Sequence, residues 1–342
     1  MPMKSDHIKS FIALSISAAA MISGLFPSHP DSGAALAKKT KTKIDREQAA
    51  IDLAQKTGML EQHMTSDAVD RLYYVHLPPN FQERMHLPMV MMFHGGADLA
   101  IPMERLTGIN QLADQAGFIV VYPIAVERYW NDGRNVEKVN KFNDIMFVNN
   151  LIGHMERRWG VDPTRIYAAG YSNGGFFAQY LALHLPDKIA AICSVAAGLP
   201  NLTLSARRPV KPISVMYVLG RQDPLMPFNG GFLNKLFHDR GSIAPASEAA
   251  KYWVTANACT PSPTVSVDMP DVDQNDGTRV KFAQFSGGKR NTEVAIFGID
   301  GGGHTWPGST ANAPVSVVGN TSNDINATQL MWEFFQRHST IR

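Results

Sequence analysis

The chain has 342 residues and a formal net charge of +2, so no long-range field marks nucleic acid or an anionic membrane as its partner. Hydrophobic residues make up 44% and charged residues 18%, which excludes a disordered chain and supplies apolar material for a sizeable core. The two cysteines, Cys193 and Cys259, show no zinc-like Cys/His spacing, H-E-x-x-H is absent, and neither a metal nor another cofactor is implied.

The chain opens like a secretory signal. Lys4 and Lys9 supply the charge, residues 11–26 are apolar but short for a membrane span, and Ala35-Leu36-Ala37 gives a small-x-small cleavage site. The predicted organisation is a signal peptide over 1–37, an N-terminal segment over 38–68 and one domain over 69–342. It places the protein in a secreted or periplasmic location, without stable membrane association once the signal is removed. Lys38, Lys39, Lys41 and Lys43 follow the cleavage site and read as a solvated N-terminus.

Residues 43–60 read as an exposed polar helix. Residues 72–77 alternate like an edge hairpin strand, and 88–93 form a continuous apolar strand with Met89, Met91 and Met92 in the core. A helix over 106–115 is closed by Gly117, and a strand over 118–122 is stopped by Pro123. Residues 143–158 have helical periodicity, with Asn143 or Asp144 as the cap. An apolar run over 165–169 enters Gly170-Tyr171-Ser172-Asn173-Gly174, and helical residues 175–185 leave it. Buried strands follow over 189–197 and 213–219, a helix over 247–257, strands over 280–285 and 294–299, and an amphipathic helix over 324–337. Residues 268–278 read as a surface loop. Buried strands alternating with helices imply a mostly parallel sheet covered on both faces. Ligands on such sheets bind beyond the carboxyl ends of the strands, where each motif below falls.

G-x-S-x-G between a strand and a helix lifts the serine out of the sheet, and glycines flank it because side chains would clash in so sharp a turn. A serine hydroxyl needs a base, and the base a carboxylate to orient it. In enzymes of this kind the chain order is serine, acid, histidine. Here Asp223 follows one buried strand and His304 another, so Ser172, Asp223 and His304 are the candidate triad. Asp187 and Asp239 compete for the acid role, but neither follows a buried strand. The backbone N–H groups of Asn173 and of Gly96, the latter in His94-Gly95-Gly96, are the candidate oxyanion donors. His94 precedes the serine and reads as a structural residue beside that loop. His63, His76, His86, His184 and His238 carry no partner pattern.

These motifs resemble the secreted esterase group containing polyhydroxybutyrate depolymerases and feruloyl esterases. The resemblance is carried by His94-Gly95, by Trp130-Asn131-Asp132-Gly133-Arg134, by Ser172-Asn173-Gly174-Gly175, by Pro227-Phe228-Asn229-Gly230-Gly231 and by Gly301-Gly302-Gly303-His304-Thr305-Trp306-Pro307-Gly308. It implies an α/β-hydrolase fold, the same three residues as a triad, and Trp130 and Trp306 lining the acyl or alcohol pocket. It also departs in two places. Many members have a cysteine where Gly96 stands, and they pair the counterpart of Cys259 with a cysteine near Gly288, so that bridge is lost here. The expected substrate is a small or oligomeric ester, of hydroxybutyrate type or a feruloyl or acetyl sugar ester. The same triad would also serve a peptidase or a lactone hydrolase. A non-catalytic polymer-binding protein on this scaffold is the remaining reading.

Overall fold

A computed structural model of the chain describes residues 58–79, 81–82, 86–134, 141–206, 211–233 and 241–340. The expected signal peptide and most of the helix expected over 43–60 lie outside them. The end of that helix is corrected: Met59 and Leu60 begin strand β1 (Met59–Ser66), which pairs antiparallel with β2 (Val69–His76). The turn between them is Asp67-Ala68, both with positive φ, 54° and 58°. That is the backbone of a two-residue hairpin, reached without the Asn-Gly or Asp-Gly pair that would announce it in the sequence. The sheet therefore starts at Met59, ahead of the domain boundary expected at 69, and β2 sits one strand in from the edge.

The sheet has ten strands in the order β1-β2-β4-β3-β5-β6-β7-β12-β11-β10. Its centre is parallel: β4 (Ile119–Pro123), β3 (Met89–Phe93), β5 (Ile166–Tyr171), β6 (Ala191–Val195), β7 (Ser214–Gly220) and β12 (Val294–Asp300). Antiparallel strands close both edges, β1–β2 on one side and β11 (Arg279–Phe285) with β10 (Val265–Asp268) on the other. The central strands read as unbroken apolar runs because both faces are covered. Met89, Met91 and Phe93 enter one core, while Val90 and Met92 enter the other.

The first face is covered by α3 (Asp144–Trp159), α4 (Asn173–His184) and α6 (Ala246–Asn257). The second is covered by α1 (Ala100–Thr107), α2 (Ile109–Ala116) and α8 (Ala327–Phe335). The single helix expected over 106–115 is two, because Gly108 at φ 59° ends α1 and starts α2. Asn143 caps α3 by accepting from Met146 N at 3.0 Å. The last helix starts later than expected because Asn326, not Asp324, is its cap. Two short helices, α5 (Asn201–Ala206) and α7 (Val315–Val318), and the ribbon of β8 (Gly231–Phe232) with β9 (Ser242–Ile243) complete the described elements. Among the described residues no helix is long and apolar enough to cross a membrane. Cys193 and Cys259 are both buried and free, and Gly288 lies against the Cys259 sulfur.

A buried ion pair ties β2 to the start of α3. Arg71 Nη2 donates to Asp144 Oδ1 at 2.6 Å, and the guanidinium lies 3.9 Å over the Phe147 ring. The other carboxylate oxygen, Asp144 Oδ2, accepts the Asn131 N–H at 2.8 Å. Removing one partner of such a pair strands the other charge in the core. Arg71→Met is therefore expected to lower the unfolding free energy by about 3–5 kcal/mol in urea titration. A loss below about 1 kcal/mol would show that the pair does not hold these elements together.

Candidate active site

Ser172 sits at the tip of the turn from β5 to α4 with φ 55° and ψ −118°, a conformation that L side chains rarely adopt. Close approach of backbones enforces it. A Cβ on Gly170 would lie 2.1 Å from the Gly174 carbonyl oxygen, and one on Gly174 would lie 2.0 Å from that of Phe93. Ser172 N–H donates to the Val195 carbonyl at 2.9 Å, which ties the turn to β6. Asn173 is the first residue of α4, so its N–H is one of the unpaired donors at the positive end of a helix.

His304 and Asp223 arrive from the ends of β12 and β7. His304 Nδ1 lies 2.8 Å from Asp223 Oδ2, with the two side chains 4% and 2% exposed. A carboxylate only accepts, so Nδ1 carries the proton and Nε2 is left as the acceptor. Asp223 is itself fixed, since its Oδ1 accepts the N–H groups of Leu225 and Met226 at 2.7 and 2.8 Å. The Tyr171 hydroxyl donates to the His304 carbonyl at 2.7 Å and its ring packs on the imidazole at 5.0 Å. Burial, and then the charge of Asp223, push that phenol up, so it remains a donor.

Ser172, Asn173, Gly96 and His304 line one cleft of about 270 Å³. Tyr171, Arg134, Asp98, Leu225, Met226 and Leu233 complete much of its wall. The sequence assigned none of these six a role, although Arg134 and Tyr171 stand within quoted motifs. The signals for three of them were adjacency alone: Tyr171 precedes the serine, and Leu225-Met226 follow Asp223-Pro224. Among the competing acids, Asp187 pairs with Lys211 at the surface, and Asp239 lies outside the described residues. Among the described residues no group of three His, Cys, Asp or Glu converges as a metal site.

Trp130 and Trp306 do not line this cleft, and their expected substrate contact is corrected. Trp130 is 0% exposed and stacks on Phe177 at 4.7 Å and 6°. Its Nε1 donates to the His94 carbonyl at 3.2 Å. Trp306 is 1% exposed and donates from Nε1 to Thr328 Oγ1 at 2.9 Å, within the core on the second face. Both indoles bury a large ring and satisfy one N–H, which is the ordinary reason to place a tryptophan in a core.

The Trp130 loop serves the site through its backbone. Asn173 Oδ1 accepts the Trp130 N–H at 2.8 Å, and Asn173 Nδ2 donates to Asp132 Oδ2 at 2.6 Å. Asp132 in turn holds Arg134 at 2.6 Å, with the guanidinium 4.2 Å over the Phe176 ring. His94 braces the strand end that leads to Gly96. Its Nδ1 faces the Gly95 carbonyl at 2.7 Å, and its Nε2 accepts the Ala125 N–H at 3.1 Å. Those two partners fix a neutral ring with the proton on Nδ1.

The sequence profile of the family described as Esterase PHB depolymerase matches residues 71–230, which takes in Gly96, Ser172 and Asp223 but stops before His304. NocK of Nocardia uniformis subsp. tsuyamanensis, which carries an esterase name, is 29% identical over 268 residues, 72% of this chain and 73% of that protein. Feruloyl esterase B of Piromyces equi is 25% identical over 240 residues, 68% of this chain, and there the chain spans only 42% of the relative's length. The solved acetyl xylan esterase from Aspergillus awamori superposes with a TM-score of 0.53 at 13% identity, covering 81% of this chain and 98% of that one. At that identity the likeness speaks for the fold, which is of the α/β-hydrolase type.

Burial, opposed by the Gly95 bond and aided by the Arg128 charge, holds the His94 imidazole down at about 4. The unfolded ring takes up its proton near 6.5 and the folded one only near 4. The stability from neutral His94 is therefore whole above about 6.5 and is lost as pH falls toward 4, on the order of 3 kcal/mol in all. The difference in unfolding free energy between wild type and His94→Asn should shrink across that window in denaturant titrations. A difference that stays constant would show that His94 does not titrate in this way.

Proposed function

Because the chain is a relative of the esterases that include polyhydroxybutyrate depolymerases and feruloyl esterases, we propose that it is an exported serine esterase acting through an acyl-enzyme. The observation that carries this reading is the His304–Asp223 contact at 2.8 Å, with His304 lining one cleft with a serine held at the tip of a strained turn. Ser172 Oγ attacks the ester carbonyl while His304 Nε2 takes its proton. Asp223 keeps the imidazole in the tautomer that leaves Nε2 open and stabilises the cation that forms. The developing oxyanion meets the N–H groups of Asn173 and Gly96, aimed by the backbone before substrate arrives. The imidazolium then protonates the leaving alcohol. Water repeats the sequence on the acyl-enzyme and releases the acid.

The cleft supports a short acyl group. At about 270 Å³ it is smaller than most ligand pockets, and Leu225, Met226 and Leu233 give it an apolar wall. Hydroxybutyrate-type oligomers and feruloyl or acetyl sugar esters are the substrate classes proposed, in keeping with the names its relatives carry. The N-terminal signal read over 1–37 makes the location secreted or periplasmic.

Hydrolysis of nitrophenyl esters of increasing chain length, beside a hydroxybutyrate oligomer, methyl ferulate and acetylated xylan, tests this directly. Ser172→Ala should lose at least about 1,000-fold in kcat, and short acyl chains should be preferred. Equal rates for the two proteins would sink the reading. A second test concerns Gly96, where an added Cβ would lie 2.4 Å from the Tyr129 ring. Gly96→Ala should displace the N–H and lower kcat about tenfold or more with KM little changed. Adding Tyr129→Ala makes room and should restore part of the rate. An unaltered kcat in Gly96→Ala would remove Gly96 from the oxyanion site.

A further inference from the structure

A second cavity, of about 130 Å³, lies at the amino ends of β6 and β7, the opposite end of the sheet from Ser172. On the same scale one water needs about 10–15 Å³, so the space admits a small polyatomic ion. Ser214, Arg290, Asn291, Arg337, His338 and Ser339 supply its polar walls. At its base, Ser214 Oγ lies 3.2 Å from His338 Nδ1, and His338 Nε2 lies 3.1 Å from Glu293 Oε1.

This repeats the residue types of the Ser172 site but not its chemistry. Ser214 is the first residue of a regular strand and is 0% exposed. Its oxygen also accepts the Glu293 N–H at 3.2 Å. No turn lifts this hydroxyl toward a carbonyl, so the group is built to bind.

Two features give the ligand its sign. Glu293 is the acid at the base, and its charge is already shared by Arg337 Nη2 at 2.6 Å, by His338, and by Gln284 Nε2 at 2.6 Å. Arg290 is then a second guanidinium against one carboxylate. It is exposed, and no side-chain partner is recorded for it, for Asn291 or for Ser339 among the described residues. Arg290 and Asn291 also both hold positive φ, 60° and 58°, a conformation that is costly for arginine and that sets the pair on the cavity wall.

We propose that this cavity binds a small oxyanion, inorganic phosphate or a short carboxylate, clamped by Arg290 and Arg337. The proposal stands apart from the esterase reading, and its test measures binding. The full-length chain is titrated with inorganic phosphate and with acetate in calorimetry and thermal melts, against chloride at matched ionic strength. One saturable site and a melting temperature that rises with the anion are expected; tighter phosphate identifies a phosphate site, and tighter acetate a carboxylate site. Arg290→Gln, at a side chain with no hydrogen-bond or ion-pair partner among the described residues, should weaken binding about fivefold or more, as loss of a charge-assisted bond does. No saturable binding of either anion, or unchanged affinity in Arg290→Gln, overturns the proposal.

Discussion

Backbone touches backbone where β5 turns into α4, and the rest of the cleft is arranged around that contact. With Gly174 seated on the Phe93 carbonyl and Gly170 on that of Gly174, β3, β5 and α4 meet without any side chain between them. The chain has room to reverse only by putting Ser172 at positive φ. The strain carried by a non-glycine residue there, of order 1–3 kcal/mol, is offset by the helix and the parallel strands that leave the turn no alternative. Two consequences follow from one steric fact: the hydroxyl stands clear of the sheet, and the Asn173 N–H at the helix start is fixed beside it.

The polar framework behind the cleft extends that rigidity outward. Asn173 holds the Trp130 backbone and Asp132. The next residue, Asn131, donates to Asp144, which pairs with Arg71 on β2. From the other side, His94 joins the Gly95 carbonyl to the Ala125 N–H, while Trp130 closes over the His94 carbonyl. Most of the donors and acceptors in this chain are buried and matched, as an interior of low dielectric demands, with Arg71 Nε the buried exception. Trp130 thus belongs to the support of the site and not to its surface, and Trp306 to the core on the second face.

The two ends of the sheet show how little residue type alone decides. Serine, histidine and an acid meet at both. At the carboxyl end a turn exposes the serine beside a helix N-terminus. At the amino end Ser214 lies in a regular strand, fully buried, with its oxygen between the Glu293 N–H and His338 Nδ1. Identical functional groups become a candidate nucleophile in one place and a lining for a polar cavity in the other, because the backbone sets which lone pair or proton faces the open space.

Much of this was legible in the sequence. Unbroken apolar runs mark strands buried on both faces, and the order Ser172, Asp223, His304 at strand ends needs only the topology of a parallel sheet to bring the three together. The strand expected over 72–77 is found in β2, but its partner β1 escaped because Asp67-Ala68 adopts the left-handed turn without glycine or asparagine, and β10 escaped because all four of its residues are exposed. The roles of Trp130 and Trp306 were not legible either, since an indole serves a core and a pocket equally well. The sequence by itself determined the parallel centre of the sheet, the turn and the functional groups of the three candidate residues, because periodicity, glycine and functional-group identity are local. Only the tertiary structure decided which side chains face the cleft, that His94 is neutral, and that Ser214, Glu293 and His338 meet. Those depend on contacts between segments far apart in the chain, and on the low-dielectric packing that forms only when the segments close on one another.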